Sequence, residues 1–122
     1  MLRVHLKKSP RLDKKFRITF ENERYVDFGA RGYSDYTLHK NPIRMRSYVT
    51  RHGGFVPHMV HKQTDPKLVH VNMLDVTKSD TENWGKTGIY TAGFWSRWLL
   101  WSQPTLESAK KTMTKKFGLV FL

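Results

Sequence analysis

Cysteine is missing from the 122-residue chain. Disulfides, thiolate zinc sites, iron–sulfur clusters and cysteine nucleophiles are therefore excluded together. Long apolar runs are missing too: none exceeds four residues, as in Trp98 to Trp101, against roughly 20 for a bilayer span. The N-terminal MLRVHLKKSPRLDKK alternates and has no continuous apolar stretch of signal-peptide length. A soluble, single-domain protein is the expectation from this length and pattern.

Acidic residues are scarce, 10 against 22 Lys plus Arg, so the formal net charge is +12 and the pI about 10.2. Such a surplus says little about fold but implies an anionic partner: nucleic acid, a membrane face with acidic lipids, or an acidic protein surface. The excess lies in three blocks, residues 1–20, 41–62 and 84–122, separated by stretches that lean acidic.

Catalytic signatures are also lacking. There is no GxGxxG, GxxxxGK[ST] or GxSxG, and GARG is too short to specify a phosphate loop. A magnesium nuclease needs clustered acids, whereas Asp27 and Asp35 flank the glycine turn and Asp65, Asp75, Asp80 and Glu82 scatter over a later stretch. Of six histidines, His5, His39, His52, His58, His61 and His70, only His58 and His61 have a spacing suited to one helical turn, and no carboxylate completes a zinc set. Exposed or hydrogen-bonded imidazole is the plainer reading. No enzyme, no metal and no cofactor are expected.

What is present is periodicity. Leu2, Val4 and Leu6 alternate with Arg3, His5 and Lys7, and the pattern resumes as Phe16, Ile18 and Phe20, then Val26 and Phe28 after the polar turn ENER. Residues 1–30 read as a three-stranded antiparallel meander with one basic face, ended by Gly29 and Gly32. Ser34 or Asp35 is placed to cap a helical turn. Pro42 with Ile43, Met45 or Arg46, and Val49, before Gly53, predicts a short helix. Residues 53–87 look like a long loop or insertion with one alternating piece, LVHVNMLDV, as an extra strand. Residues 91–118 read as a helical pair with Pro104 at the start of the second helix, Glu107 near that start and Gly118 as its stop. Residues 119–122, LVFL, form an apolar tail that needs a sheet edge or a partner. The fold class is α+β, a small antiparallel sheet followed by short helices and a C-terminal helical pair.

Three of four tryptophans fall within Trp95 to Trp101. On a helix, Phe94, Trp98 and Trp101 share a face and Trp95 and Leu99 lie on its neighbour, so the segment is apolar nearly all round. Core, a partner-covered interface and a ligand cage are the three readings; the lack of polar groups beyond Ser96 and Arg97 disfavours the cage. Lys7, Lys8, Arg11, Lys14, Lys15 and Arg17 in the first hairpin, with Lys110, Lys111, Lys115 and Lys116 on the last helix, are the candidate anion contacts; solvated strand and helix faces are their plainer reading.

The strings SDYTLHK, RSYVTRH and TAGFWSRWLLWSQPTLESAKK, preceded by a basic hairpin and DFGARG, resemble a family of small, basic, uncharacterised proteins of large nucleocytoplasmic DNA viruses infecting algae and amoebae. The similarity covers roughly residues 3–52 and 88–117 and is most specific from Gly93 to Pro104; residues 53–87 depart from it. The family offers no catalytic residues. The resemblance implies a virion structural protein, a minor capsid or cement component assembled in the infected host cell. Its partners would be the major capsid protein and other minor capsid proteins, and its basic faces would meet acidic capsid surfaces, an inner membrane or DNA. Phe94, Trp95, Arg97, Trp98, Trp101, Val120, Phe121 and Leu122 are then the expected partner contacts. The alternative is a basic nucleic-acid-binding protein of viral genome packaging.

Overall fold

Residues 1–122 are described by a computed structural model, and the alternation of the first thirty residues has its expected consequence. Strands β1 (Leu2–Lys8), β2 (Lys14–Phe20) and β3 (Tyr25–Ala30) form an antiparallel meander. The register sets Val4 opposite Phe20, Leu6 opposite Ile18, and Phe16 opposite Phe28, which gathers the apolar side chains on one face. Val4, Ile18, Phe20, Val26 and Phe28 are buried, whereas Arg3, His5 and Lys7 of β1 are exposed. A slip of one residue would invert both faces of a strand, so this pattern fixes the pairing.

Asp35 caps α1 (Tyr36–His39) by accepting from the Thr37 amide. Asn41 caps α2 (Pro42–Arg51), whose Pro42 occupies the first turn, where no amide proton is needed, and whose Met45 and Val49 face the core.

Residues 53–87 are not a loop holding a strand. They contain α3 (His58–Lys62) and α4 (Pro66–Met73), and the segment expected to be extended is helical. The Asp65 carboxylate caps α4 through the Lys67 amide, Pro66 pre-sets the first turn, and Val69 and Met73, four apart, are the buried pair. The alternation in LVHVNM arises because Leu68 and Val71 stand exposed on the opposite side. Gly54 and Ser79 form an isolated antiparallel bridge that ties the ends of this region together.

Thr91 caps α5 (Ala92–Trp95), which runs directly into a π-helical turn, Ser96–Leu100. Thr105 caps α6 (Leu106–Phe117), so Pro104 precedes the cap instead of sitting in the first turn. Gly118 ends the helix at φ 68°, the left-handed conformation that favours glycine. It turns the chain into β4 (Leu119–Phe121), which pairs parallel with β1 and gives the sheet order β3-β2-β1-β4. The apolar ending thus finds a sheet edge, and Leu119 is fully buried. The architecture is α+β, with α5, the π turn and α6 packed against the sheet and α1, α3 and α4 joined to it through the α1–α2, α2–α4 and α3–α4 contacts and the shared core.

Candidate anion-binding surfaces

The aromatic segment is mostly interior. Phe94, Trp95, Arg97 and Trp98 each have 0% of their surface exposed, which corrects their assignment as partner contacts: no partner can reach them in this fold. Trp95 lies over the inner sheet face, with ring centroids 6.0 Å from Phe20, 6.3 Å from Phe28 and 6.4 Å from Phe121. Each buried indole N–H has an acceptor: Trp95 donates to the Ile89 carbonyl, Trp98 to the Trp84 carbonyl, and Trp84 to a Glu82 carboxylate oxygen, at 2.6, 2.8 and 2.8 Å. Burying an indole without such a partner would cost free energy, so the segment is composed as core.

Arg97 is a buried cation with no carboxylate. Its Nη1 donates to the Trp101 carbonyl at 2.6 Å, and Nη2 to the Met73 and Val76 carbonyls at 2.7 and 3.0 Å. These oxygens stand at the C-terminal ends of α4 and of the π turn, where unsatisfied carbonyls concentrate negative potential. The guanidinium carbon also lies 4.7 Å from the Trp98 ring centroid. Burial pulls the Arg97 pKa down to about 10, which leaves it charged at neutral pH. Arg97 is a clamp between two helix ends.

Trp101 is half-buried. Its ring stacks on Tyr48 with centroids 4.2 Å apart and an interplanar angle of 2°, and Tyr48 stacks in turn on His52 at 4.0 Å. His52 Nδ1 is 2.8 Å from Glu82 Oε2. Of the tail, Val120 and Phe121 are half-buried in β4 and only Leu122, 69% exposed, is free.

The expected anion contacts divide into two groups. Arg11 is paired with Asp13, Lys15 with Asp35, and Arg17 with Asp27, so these three are largely answered within the chain. The Arg17 guanidinium beside it holds the Asp27 carboxyl below its ordinary range, helped by Ser9. Arg17 also stacks over the Tyr25 ring at 3.8 Å. Lys116 lies over the edge of the core, 5.1 Å from the Trp98 centroid.

The second group is free. Lys7 and Lys8 project from β1 without a carboxylate partner, and Lys14 is unpaired at the start of β2. On α6, Lys110, Lys111 and Lys115 line a shallow groove of about 460 Å³ whose other wall is Val120 and Phe121 of β4. Lys111 has only a long 4.0 Å contact with Glu107, both highly exposed, a pair of negligible strength. Val120 is in register with Arg3 and so shares the solvent face of β1, where Arg3, His5 and Lys7 stand, whereas Phe121 is in register with the buried Val4 and shares the inner face. Edge strand β4 thus stands between two basic surfaces that come from opposite ends of the chain, α6 on one side and β1 on the other.

A second concavity, not anticipated from the sequence, lies toward the β2–β3 side of the sheet, between the end of that hairpin, α2 and the π turn. Arg44, Tyr48 and Arg51, spaced i, i+4 and i+7 on α2, all face it. That spacing, once Pro42 starts a helix, was the available signal. The hydroxyl of Tyr48 has its pKa raised, first by burial and then by the Glu82 carboxylate.

Residues 4–52 match the model of a family described only as of unknown function (DUF5754). No curated protein and no solved structure matches the chain.

Proposed function

We propose that the protein binds a nucleic-acid backbone along the basic surface formed by α6, β4 and β1. The observation that supports this most directly is the placement of Lys110, Lys111 and Lys115 on α6 and of Arg3 and Lys7 on β1, to either side of edge strand β4, with no carboxylate paired to any of them beyond the weak Glu107 contact. A set of unpaired cations beside half-buried apolar side chains suits a chain of phosphates, with the open edges of Val120 and Phe121 available to sugars or bases. The reading is one of binding, not catalysis.

The capsid-cement reading took its anchor from Phe94, Trp95, Trp98 and the LVFL tail. Those rings and Leu119 are occupied by the chain's own core, so the cement reading is left with Trp101, the half-buried Val120 and Phe121, Leu122 and the basic faces.

The test is fluorescence anisotropy with a labelled duplex and a labelled single strand between 50 and 200 mM salt. Five engaged cations would give a slope of log affinity against log salt of about −4.5 on duplex DNA, equivalent to a loss of roughly 500-fold over that range. Affinity that is undetectable at 50 mM salt, or insensitive to salt, would remove the proposal.

A further inference from the structure

The cleft between the β2–β3 hairpin, α2 and the π turn has a volume of about 460 Å³, within the size range of small-molecule sites. Its charge is asymmetric. Asp35 is consumed by Lys15 at 2.6 Å, and Glu82 by His52 and by the Trp84 indole, both at 2.8 Å. Arg44, Arg51 and Lys14 also border the cleft, and none of their side chains has a hydrogen-bond or ion-pair partner in the protein. The acids at the cleft are answered while three of its cations are not.

The walls are also fixed. Arg44 and Arg51 lie two turns apart on α2, about 10 Å along the axis, and Tyr48 between them is held in the Trp101–Tyr48–His52 stack. The floor is small: Ala92, Gly93 and Ser96. A side-chain carbon at Gly93 would come within 2.7 Å of Glu82 Oε1, so a larger residue would displace the carboxylate that holds His52. The π turn contributes Ser96 and Leu100; such turns are frequent at functional sites.

We infer that this cleft binds a phosphomonoester carried by a ligand of roughly mononucleotide size, with Arg44, Arg51 and Lys14 as its cradle. Two guanidinium groups on one rigid helix suit the non-bridging oxygens of a terminal phosphate, which accept paired N–H donors better than a single ammonium provides. The volume exceeds a lone phosphate, and the rest of the occupant meets the half-buried Trp101 and the exposed Tyr33 at the rim. A terminal phosphate of this kind occurs on free mononucleotides and on the 5′ ends of nucleic-acid chains. The cleft is separate from the α6–β4 groove and does not rest on the backbone-binding reading.

The experiment is titration calorimetry with adenosine 5′-monophosphate, and with a short oligothymidylate carrying either a 5′-phosphate or a 5′-hydroxyl. It is run on the wild type, on Arg44→Gln/Arg51→Gln, and on Lys110→Gln/Lys115→Gln. Arg44 and Arg51 are exposed, and unchanged tryptophan emission would verify that their variant is folded. The expected result is binding of the phosphorylated probes that weakens at least tenfold in the α2 variant and holds in the α6 variant. Tighter binding of the mononucleotide would assign a small-molecule site; tighter binding of the phosphorylated oligonucleotide would assign a chain-end site. Equal affinity for the 5′-phosphate and 5′-hydroxyl oligonucleotides together with no binding of the mononucleotide, or equal affinities in wild type and α2 variant, would overturn the inference. Weak backbone binding in the α6 variant alone would bear on the α6–β4 groove and not on the cleft.

Discussion

The segment from Trp84 to Trp101 and the solvent face of β1 make opposite impressions in sequence and occupy opposite places in the fold. The first is dense in tryptophan, with Trp84 and all of Phe94 to Leu100 except the half-buried Ser96 interior; the indole donors of Trp84, Trp95 and Trp98 and the terminal nitrogens of Arg97 are satisfied by backbone carbonyls or a carboxylate, and only Arg97 Nε is buried without a partner. The second is a plain alternation of Arg3, His5 and Lys7 with apolar residues, and it is the part left open to a partner. In a chain this small, one sheet face needs large residues to cover it, and the aromatic cluster meets that need before any ligand can.

Substitution separates the two regions sharply. Trp98→Ala should destabilise by roughly 3–5 kcal/mol through lost burial and a residual cavity. Arg97→Ala strands three carbonyls and should cost about 3 kcal/mol or more. Urea unfolding followed by circular dichroism measures both, and a cost under about 1 kcal/mol for either would mean that the segment is peripheral. Deleting residues 119–122 removes β4 and the buried Leu119 and should cost about 2–4 kcal/mol, the scale of a large core truncation. A tail that served only a partner would be removable without effect on the isolated chain.

Acid offers a gentler probe. Burial pushes the pKa values of His39 and His70 below 6.5, with Arg44 adding to the effect at His39 and Asp35 opposing it. His70 Nδ1 is paired with the Tyr36 hydroxyl at 2.8 Å. Both imidazoles are therefore held neutral in the fold, and the unfolded chain protonates first as pH falls. Their contribution is complete above about pH 6.5 and drains away as pH falls through the folded-state values. Thermal unfolding should occur a few degrees lower at pH 5.5 than at pH 7.5, and His39→Gln/His70→Gln should flatten that dependence. The smallest effect belongs to the open face: Arg3→Gln and Lys7→Gln should each change stability by less than about 0.5 kcal/mol.

The meander, α2 and the stop of α6 were legible because each rests on short-range signals: strict alternation, Pro42 with an apolar spacing, and Gly118 after Phe117. Residues 66–73 misled because an alternating run of six residues fits a strand as well as a helix; the decision came from Asp65 and Pro66, whose capping roles outweigh the pattern. The basic face of the hairpin was legible, but its junction with α6 was not, since it depends on the parallel pairing of β4 with β1 across the whole chain. The loss of Lys15 and Arg17 to internal ion pairs was hidden for the same reason, since their partners Asp35 and Asp27 are set by a helix cap and by register, whereas the Arg11 pair with Asp13 joins sequence neighbours.

The most direct measurement of the central claim is the salt slope of duplex DNA binding for the wild type beside Lys110→Gln/Lys111→Gln/Lys115→Gln. The slope should fall from about −4.5 to about −1.8, since each engaged cation contributes roughly 0.9, with the unfolding midpoint in urea unchanged. An unaltered slope in the triple variant would contradict the account and move the anionic partner away from the α6–β4–β1 surface.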